Sequence, residues 1–207
     1  MIAVVDSGMG NLRSIAKALE EVGGAVRVTR DVGEISRAER IVLPGVGAFG
    51  DGMKSLQRDG LNALLTEQVL GKKKPFLGIC LGMQLLAKSS EEFGHHEGLG
   101  WINAQVRQFQ FPSSKDLKVP HVGWNTVTFS ADHPMRRGIE DQADFYFVHS
   151  YYVLPADPSL VLGTCDYGRA FAACIVQGNI VATQFHPEKS QRDGLTMLRN
   201  FLHWQPC

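Results

Sequence analysis

Nowhere in these 207 residues does an apolar run approach the roughly 18 positions that a membrane-crossing helix needs. The opening MIAVVDSGMGN lacks the basic n-region and the long apolar core of an export signal. Cysteine is scarce: Cys80, Cys165, Cys174 and Cys207 are scattered and form no CxxC pair. Together these absences predict reduced thiols in a cytoplasmic protein, with neither a disulfide framework nor a zinc site. An excess of charge is missing too, since 21 Lys and Arg balance 21 Asp and Glu. The average surface therefore offers no footprint for nucleic acid or an anionic membrane. Internal repeats, low-complexity tracts and linker-like stretches are absent as well. What remains is ordinary globular composition, 44% hydrophobic and 20% charged. The length fits one large domain over residues 1–207 that can bury its own core.

The first half alternates short apolar runs with helical periodicity. Residues 2–6, 25–29, 40–44 and 74–79 read as strands. Leu12, Ile15, Ala16, Leu19 and Val22 fall at helical spacing after Asn11, until Gly23-Gly24 ends the pattern. Further helices are predicted from about Gly52 to Leu70 and over 81–88. Such alternation implies parallel strands with helices on both faces. After Gly94 the runs WINAQVRQF, WNTVTF, DFYFVHSYYV, LVLGTCDY and AACIVQGNIVATQF are strand-like, and Gly178-Asn179 marks a hairpin. A closing helix is predicted over Gln191 to Trp204. The expected fold is α/β, an open and mostly parallel sheet flanked by helices, with an antiparallel extension in the second half.

Two glycine motifs mislead. GVGAFG at 45–50 spells the dinucleotide fingerprint, but it follows the third strand, contains no acidic residue at the ribose distance outside a helix, and has Pro44 at its turn. GKKKP at 71–75 lacks the glycine spacing and the Ser/Thr of a phosphate loop. A glycine-rich loop at 45–50 can still bring backbone N–H groups close to an anion.

Gly78-Ile79-Cys80-Leu81-Gly82 is the cysteine counterpart of the G-x-S-x-G elbow. A nucleophile at a strand-to-helix turn sits in a strained conformation, and side chains two residues to either side would collide. Cys80 is thus a nucleophile or a small buried core residue. Of the seven histidines, His186 stands out because it heads His-Pro-Glu directly after an apolar run. Pro187 biases His186 towards extended backbone, so Glu188 projects to the same side and can orient the imidazole. Cysteine elbow and HPE both follow strands of an open α/β sheet, whose C-terminal edge gathers catalytic groups. That coexistence favours a Cys80–His186–Glu188 triad over an incidental surface turn.

FLGICLGMQLL together with QFHPEKS resembles the class I, triad-type glutamine amidotransferases. DSGMGNLRSI, LPGVGAFGDGM, PHVGWN and FYFVHSYY narrow the resemblance to the glutaminase subunits of imidazole glycerol phosphate synthase, with motifs in order from Asp6 to Ser190. One departure is Ser7, where this family commonly has a tyrosine. The resemblance implies a flavodoxin-like amidotransferase domain without metal or cofactor. It also implies hydrolysis of L-glutamine to glutamate and ammonia through a γ-glutamyl thioester on Cys80. The oxyanion is expected against the N–H groups of Leu81, at the helix start, and of Val46, in the PGVG loop. Gln84, one helical turn after Cys80, is expected to face the substrate, with Gly47 and the Ser150-Tyr151 backbone as further contacts.

The implied partner is a (βα)₈-barrel cyclase subunit, which consumes the ammonia and makes imidazole glycerol phosphate in histidine biosynthesis. Asn11, Trp124, Tyr146 and Lys189 match positions expected at that interface or its ammonia gate. Ordinary packing is the competing account of Trp124 and Tyr146, and plain solvation that of Lys189. Rival readings are another amidotransferase subunit, a γ-glutamyl hydrolase, a catalytically dead scaffold and a flavodoxin-like nucleotide binder. PGVG with PHVGWN, the intact triad residues and the glycine spacing weigh against these.

Overall fold

The structure, a computed structural model, describes residues 1–111 and 117–206; Cys207 lies outside the described residues. Every residue of IAVV in β1 (Ile2–Val5) is buried, so this strand needs cover on both faces. It gets that cover from two cores. Ile2 and Val4 pack with Ile15 and Leu19 of α1 (Leu12–Glu21) and with Leu198 and Phe201 of α6 (Gln191–His203). Ala3 and Val5 pack on the other side with Ile35, Leu56 and Leu61. The Asn11 side chain accepts the Ser14 N–H and starts α1.

Then follow β2 (Val26–Thr29), α2 (Val32–Arg37) and β3 (Arg40–Gly45). The helix expected from about Gly52 to Leu70 starts earlier and comes in pieces: α3 (Phe49–Arg58), α4 (Leu61–Thr66) and a π-helical turn over Glu67–Gly71. Gly60, at φ 68°, breaks it. Leu61, Leu65 and Val69 are all fully buried, and a strict spacing of four drifts off an α-helical face. Widening the turn brings Val69 back over the core.

β4 (Phe76–Cys80) runs into α5, which covers only Leu81–Gln84 and not the expected 81–88. The reason lies outside the segment. The carbonyls of Leu85, Leu86 and Ala87 accept N–H groups from Leu99, Ile102 and Gly100, and the Lys88 N–H goes to Ala104. A β-carbon at Gly98 would strike the Ala87 carbonyl, so the crossing depends on that glycine.

The remaining strands are β5 (Ser89–Ser90), β6 (His96–Glu97), β7 (Ala104–Gln108), β8 (His121–Phe129), β9 (Gln142–His149), β10 (Tyr151–Pro155), β11 (Val161–Asp166), β12 (Ala170–Gln177) and β13 (Ile180–Thr183). The main sheet has the order β2-β1-β3-β4-β13-β12-β11-β8-β9, parallel from β2 to β13 and antiparallel beyond. The expected extension is therefore present, and the Gly178-Asn179 hairpin joins β12 to β13. A second sheet, β10-β7-β5-β6, goes beyond the expected architecture. DFYFVHSYYV reads as one strand, yet Ser150 divides it between the two sheets. Among the described residues no helix is long and apolar enough to cross a membrane.

Register sets the edge that matters. Gly45 pairs with Cys80 and Thr183 with Ile79, so the 45–47 loop, the cysteine turn and the segment after Thr183 emerge side by side. This is the C-terminal edge of the parallel strands.

Candidate active site

Cys80 has φ 53° and ψ −107°, a left-sided conformation that costs a non-glycine residue about 1–3 kcal/mol. Close packing enforces it. A β-carbon at Gly82 would collide with the Leu43 carbonyl oxygen, and one at Gly78 would stand 2.8 Å from the Gly82 carbonyl oxygen. The expected reason for both glycines holds. The thiol lies 3.7 Å from Gln184 Nε2 and 3.9 Å from the Val148 carbonyl oxygen. Because α5 is so short, an anion here depends on local N–H groups and little on a helix dipole.

His186 and Glu188 meet at 2.8 Å, Nδ1 to Oε1, and both are buried. His186 itself is extended as expected, at φ −99° and ψ 96°, but a 3₁₀ turn over Pro187–Lys189, not a continuing extended segment, brings Glu188 to its ring. Ser190, which sequence reasoning did not single out as a site residue, ties this turn to β9. Its hydroxyl donates to the His186 carbonyl and accepts the Tyr146 N–H, while the His186 N–H donates to the Tyr146 carbonyl. Burial works against charge on His186, but the nearby Cys80 sulfur and the Glu188 carboxylate outweigh it and raise its pKa. Nε2 is buried and makes no hydrogen bond of good geometry among the described residues.

A cleft of about 250 Å³ opens beside the thiol. Val46, Gly47, Cys80, Leu81, Gln84, Ser150 and Tyr151 all line it, so seven of the residues singled out above share one cavity. Gly47 adopts φ 109°, open to glycine at little cost. Gln84 spends its two amide protons on the Tyr151 carbonyl (3.1 Å) and on Gln184 Oε1 (3.2 Å), which leaves its own carbonyl oxygen for a ligand. Glu92 and His149 also line the cleft, and sequence reasoning missed both. Glu92 accepts the Phe49 N–H at 2.7 Å and so caps α3 from a distance; burial raises its pKa against that bond. No local motif marks Glu92, because its partner lies 43 residues away.

The four residues expected at an interface divide. Asn11 is the α1 cap already described. Trp124 is half exposed and meets the Tyr146 ring edge-on at 6.2 Å, while Lys189 Nζ stands 5.6 Å from that ring. Trp124, Tyr146 and Lys189 thus form one cluster beside the His186 turn, and Val122 extends the Trp124 face as an exposed apolar side chain.

What fold and edge define together is a class: an open-sheet α/β protein with a cysteine on a strained strand-to-helix turn facing a cleft. Comparison with known proteins sharpens it. The family model for glutamine amidotransferase class-I matches residues 3–204. The imidazole glycerol phosphate synthase subunit HisH of Syntrophotalea carbinolica is 49% identical, over 97% of this chain and 98% of that protein. The same subunit from Rhodopirellula baltica is 50% identical, over 97% and 96%. A crystal structure of a glutamine amidotransferase superposes with a TM-score of 0.74, covering 98% of this chain and 97% of the other; at 18% identity it speaks for the fold alone. The chain belongs to the class-I glutamine amidotransferases, in the branch of the HisH subunits.

Proposed function

We propose that the chain is the glutaminase subunit of an imidazole glycerol phosphate synthase, a cytoplasmic enzyme acting as one amidotransferase domain over residues 1–207. It hydrolyses L-glutamine and passes the ammonia to a (βα)₈-barrel cyclase subunit. One observation carries the chemistry: a cysteine on a strained elbow, with a buried His–Glu pair at its side, opens onto a cleft of amino-acid size.

Glutamine binds with its side-chain carboxamide over Cys80. Gln84, Gly47 and the Ser150-Tyr151 backbone hold its polar groups, and the buried Glu92 carboxylate faces the α-ammonium. The Cys80 sulfur, having already given its proton to His186, forms a bond to the carboxamide carbon. The N–H groups of Leu81 and Val46 receive the negative oxygen, each worth about 10²–10³ in rate. His186 gives its proton to the departing nitrogen, the C–N bond breaks, and ammonia leaves a γ-glutamyl thioester. His186 then takes a proton from water, whose oxygen attacks the thioester and releases glutamate and the thiol. Glu188 holds the imidazole in the Nδ1–H tautomer and stabilises its charged form.

Released into water, ammonia would be protonated and lose its nucleophilicity, so its use requires a docked acceptor. The Trp124–Tyr146–Lys189 cluster, with exposed Val122 two residues before Trp124 on β8, supports docking beside the His186 turn. The test is mass-spectrometric trapping of the thioester on Cys80 during turnover, with and without a cyclase subunit. An adduct of about 129 Da on the Cys80 peptide, matching a γ-glutamyl group, is expected. An adduct on another residue, or none under turnover, would overturn the assignment.

A further inference from the structure

Two histidines beside the Ser150-Tyr151 wall are not used by the mechanism: His149, which lines the cleft, and His121 behind it. His149 Nδ1 is 2.8 Å from the Tyr151 carbonyl oxygen. A carbonyl only accepts, so this nitrogen carries the proton, and Nε2 of a neutral ring is left as an acceptor. His121 Nδ1 stands 3.0 Å from that Nε2 and must donate to it. His121 Nε2 is then an acceptor in turn, and Asn125 Nδ2 lies 3.3 Å from it. Asn125 agrees with this direction, since the same amide nitrogen donates to the Asp166 carbonyl and its oxygen accepts the Thr126 N–H. Each bond fixes the next. The direction runs from Asn125 through His121 and His149 to Tyr151.

The Tyr151 carbonyl receives a second bond, from Gln84, which continues through Gln184 to the Cys80 sulfur. Its two lone pairs are thus engaged from both sides of the cleft wall. Aromatic rings keep the histidines dry: Tyr167 and Phe147 stack on His121 with centroids 3.9 and 4.9 Å away, and Phe109 and Phe171 pack on both rings. Burial lowers the pKa of His121 to about 4 and that of His149 to about 3, in keeping with two neutral rings. The titratable groups around them are Tyr167 on the cage side and His186, Cys80 and Glu92 on the cleft side; no carboxylate among the described residues is placed to charge either ring.

We infer that His121 and His149 are positioning residues for substrate binding, holding the Tyr151 carbonyl, and with it the Ser150-Tyr151 wall, in the orientation that glutamine meets. This rests on the proposed glutaminase reading. Neither ring touches the reacting atoms, so the effect falls on KM.

The test uses the complex with its cyclase subunit and three chains: wild type, His149→Leu and His149→Asn. Leucine removes the donor to Tyr151, whereas the asparagine amide nitrogen can occupy the Nδ1 position. His149→Leu is expected to raise KM for glutamine about tenfold, the usual consequence of a lost buried hydrogen bond, with kcat changed less than about threefold. His149→Asn is expected to recover most of that loss. An unchanged KM in His149→Leu, a fall in kcat alone, or equal damage in both variants overturns the inference. Nitrogen-15 spectra of the histidine rings in the wild-type chain decide it independently of activity and of variant folding. Nδ1–H on both rings is expected, and Nε2–H on either would overturn the chain of donors. Wild type without glutaminase activity would instead sink the proposed function, and the ring spectra would still report on the hydrogen-bond chain.

Discussion

Cys80 and Cys174 stand two strands apart in one sheet. Cys174 pairs with Thr183 across β12 and β13, and Thr183 pairs with Ile79 across β13 and β4, so the two thiols differ by one step of register. Cys174 sits inside an antiparallel strand with no exposed surface, and burial pushes its pKa up to about 12. Cys165, in the neighbouring β11, is pushed to about 12 in the same way. Cys80 is where its strand ends. Its backbone is forced to φ 53°, a cleft opens above it, and the imidazole of His186, backed by the Glu188 carboxylate, is close enough to feel its sulfur. Residue type and sheet are shared; only the position relative to the edge changes. A strand interior makes a thiol inert, and the edge supplies the turn, the opening and the neighbours that chemistry needs.

The largest expected effect separates the two cysteines outright. Cys80→Ala should lower glutamine-dependent turnover by at least about 10³-fold, while the partnered complex still makes product from added ammonium salts. Normal glutamine turnover in that variant would erase the contrast. Next comes Glu188→Gln, expected to reduce glutaminase activity by about 10²–10⁴-fold by weakening control of the His186 tautomer and charge. Its stability signature has a definite sign. The folded pKa of His186 is raised, to about 9, so the stabilisation is fully present below the unfolded value near 6.5 and fades as pH rises through about 9. Urea unfolding of both chains should therefore show a stability gap that shrinks between those pH values. A gap that widens with pH would contradict the assignment.

Gly82→Ala tests whether packing makes the elbow. The added carbon meets the Leu43 backbone, which must move, so a loss of about 1–3 kcal/mol in stability and about 10²-fold in activity is expected. Smaller still is the acid response of the buried histidines. Their folded pKa values are depressed, so stability should fall as pH drops from about 6.5 towards 4, by at most about 1.4 kcal/mol per pH unit for each ring. Denaturant titrations at pH 7, 6 and 5 measure the slope; a flat profile would argue against buried neutral rings. Least affected should be Cys174→Ala, with unchanged kinetics and about 1 kcal/mol lost to the smaller side chain. In the wild type, iodoacetamide should label Cys80 and spare Cys174, as peptide mass spectrometry can show.

Much of this edge was legible in the residues. GICLG announced the elbow, HPE a buried imidazole–carboxylate pair, and PGVG a loop that borders the same cleft. Their spacing along the chain carried the signal because each motif is local: a tight turn demands glycine at fixed offsets, and a strand end presents the residues just beyond it. Lengths were less legible. The helix after Cys80 stops at Gln84 because a segment about 15 residues on takes the next carbonyls, and the chain after α4 widens into a π-helical turn that brings Val69 over the core. The second sheet was unreadable for a similar reason, since Ser150 looks like one more residue in an apolar run.

By itself the sequence determined the parallel half, the hairpin of β12 and β13, the three residues at the elbow and turn, and the family to which they belong. Periodicity and glycine offsets are short-range properties, and a few neighbouring residues suffice to state them. Only the tertiary structure decided how short the helix behind the thiol is, that a 3₁₀ turn and Ser190 hold His186, and that Glu92 reaches the cleft from a distant loop. The same is true of the His121–His149 pair. Those features depend on which buried donor finds which acceptor, a matter settled when strands far apart in the chain come together and water is excluded from between them.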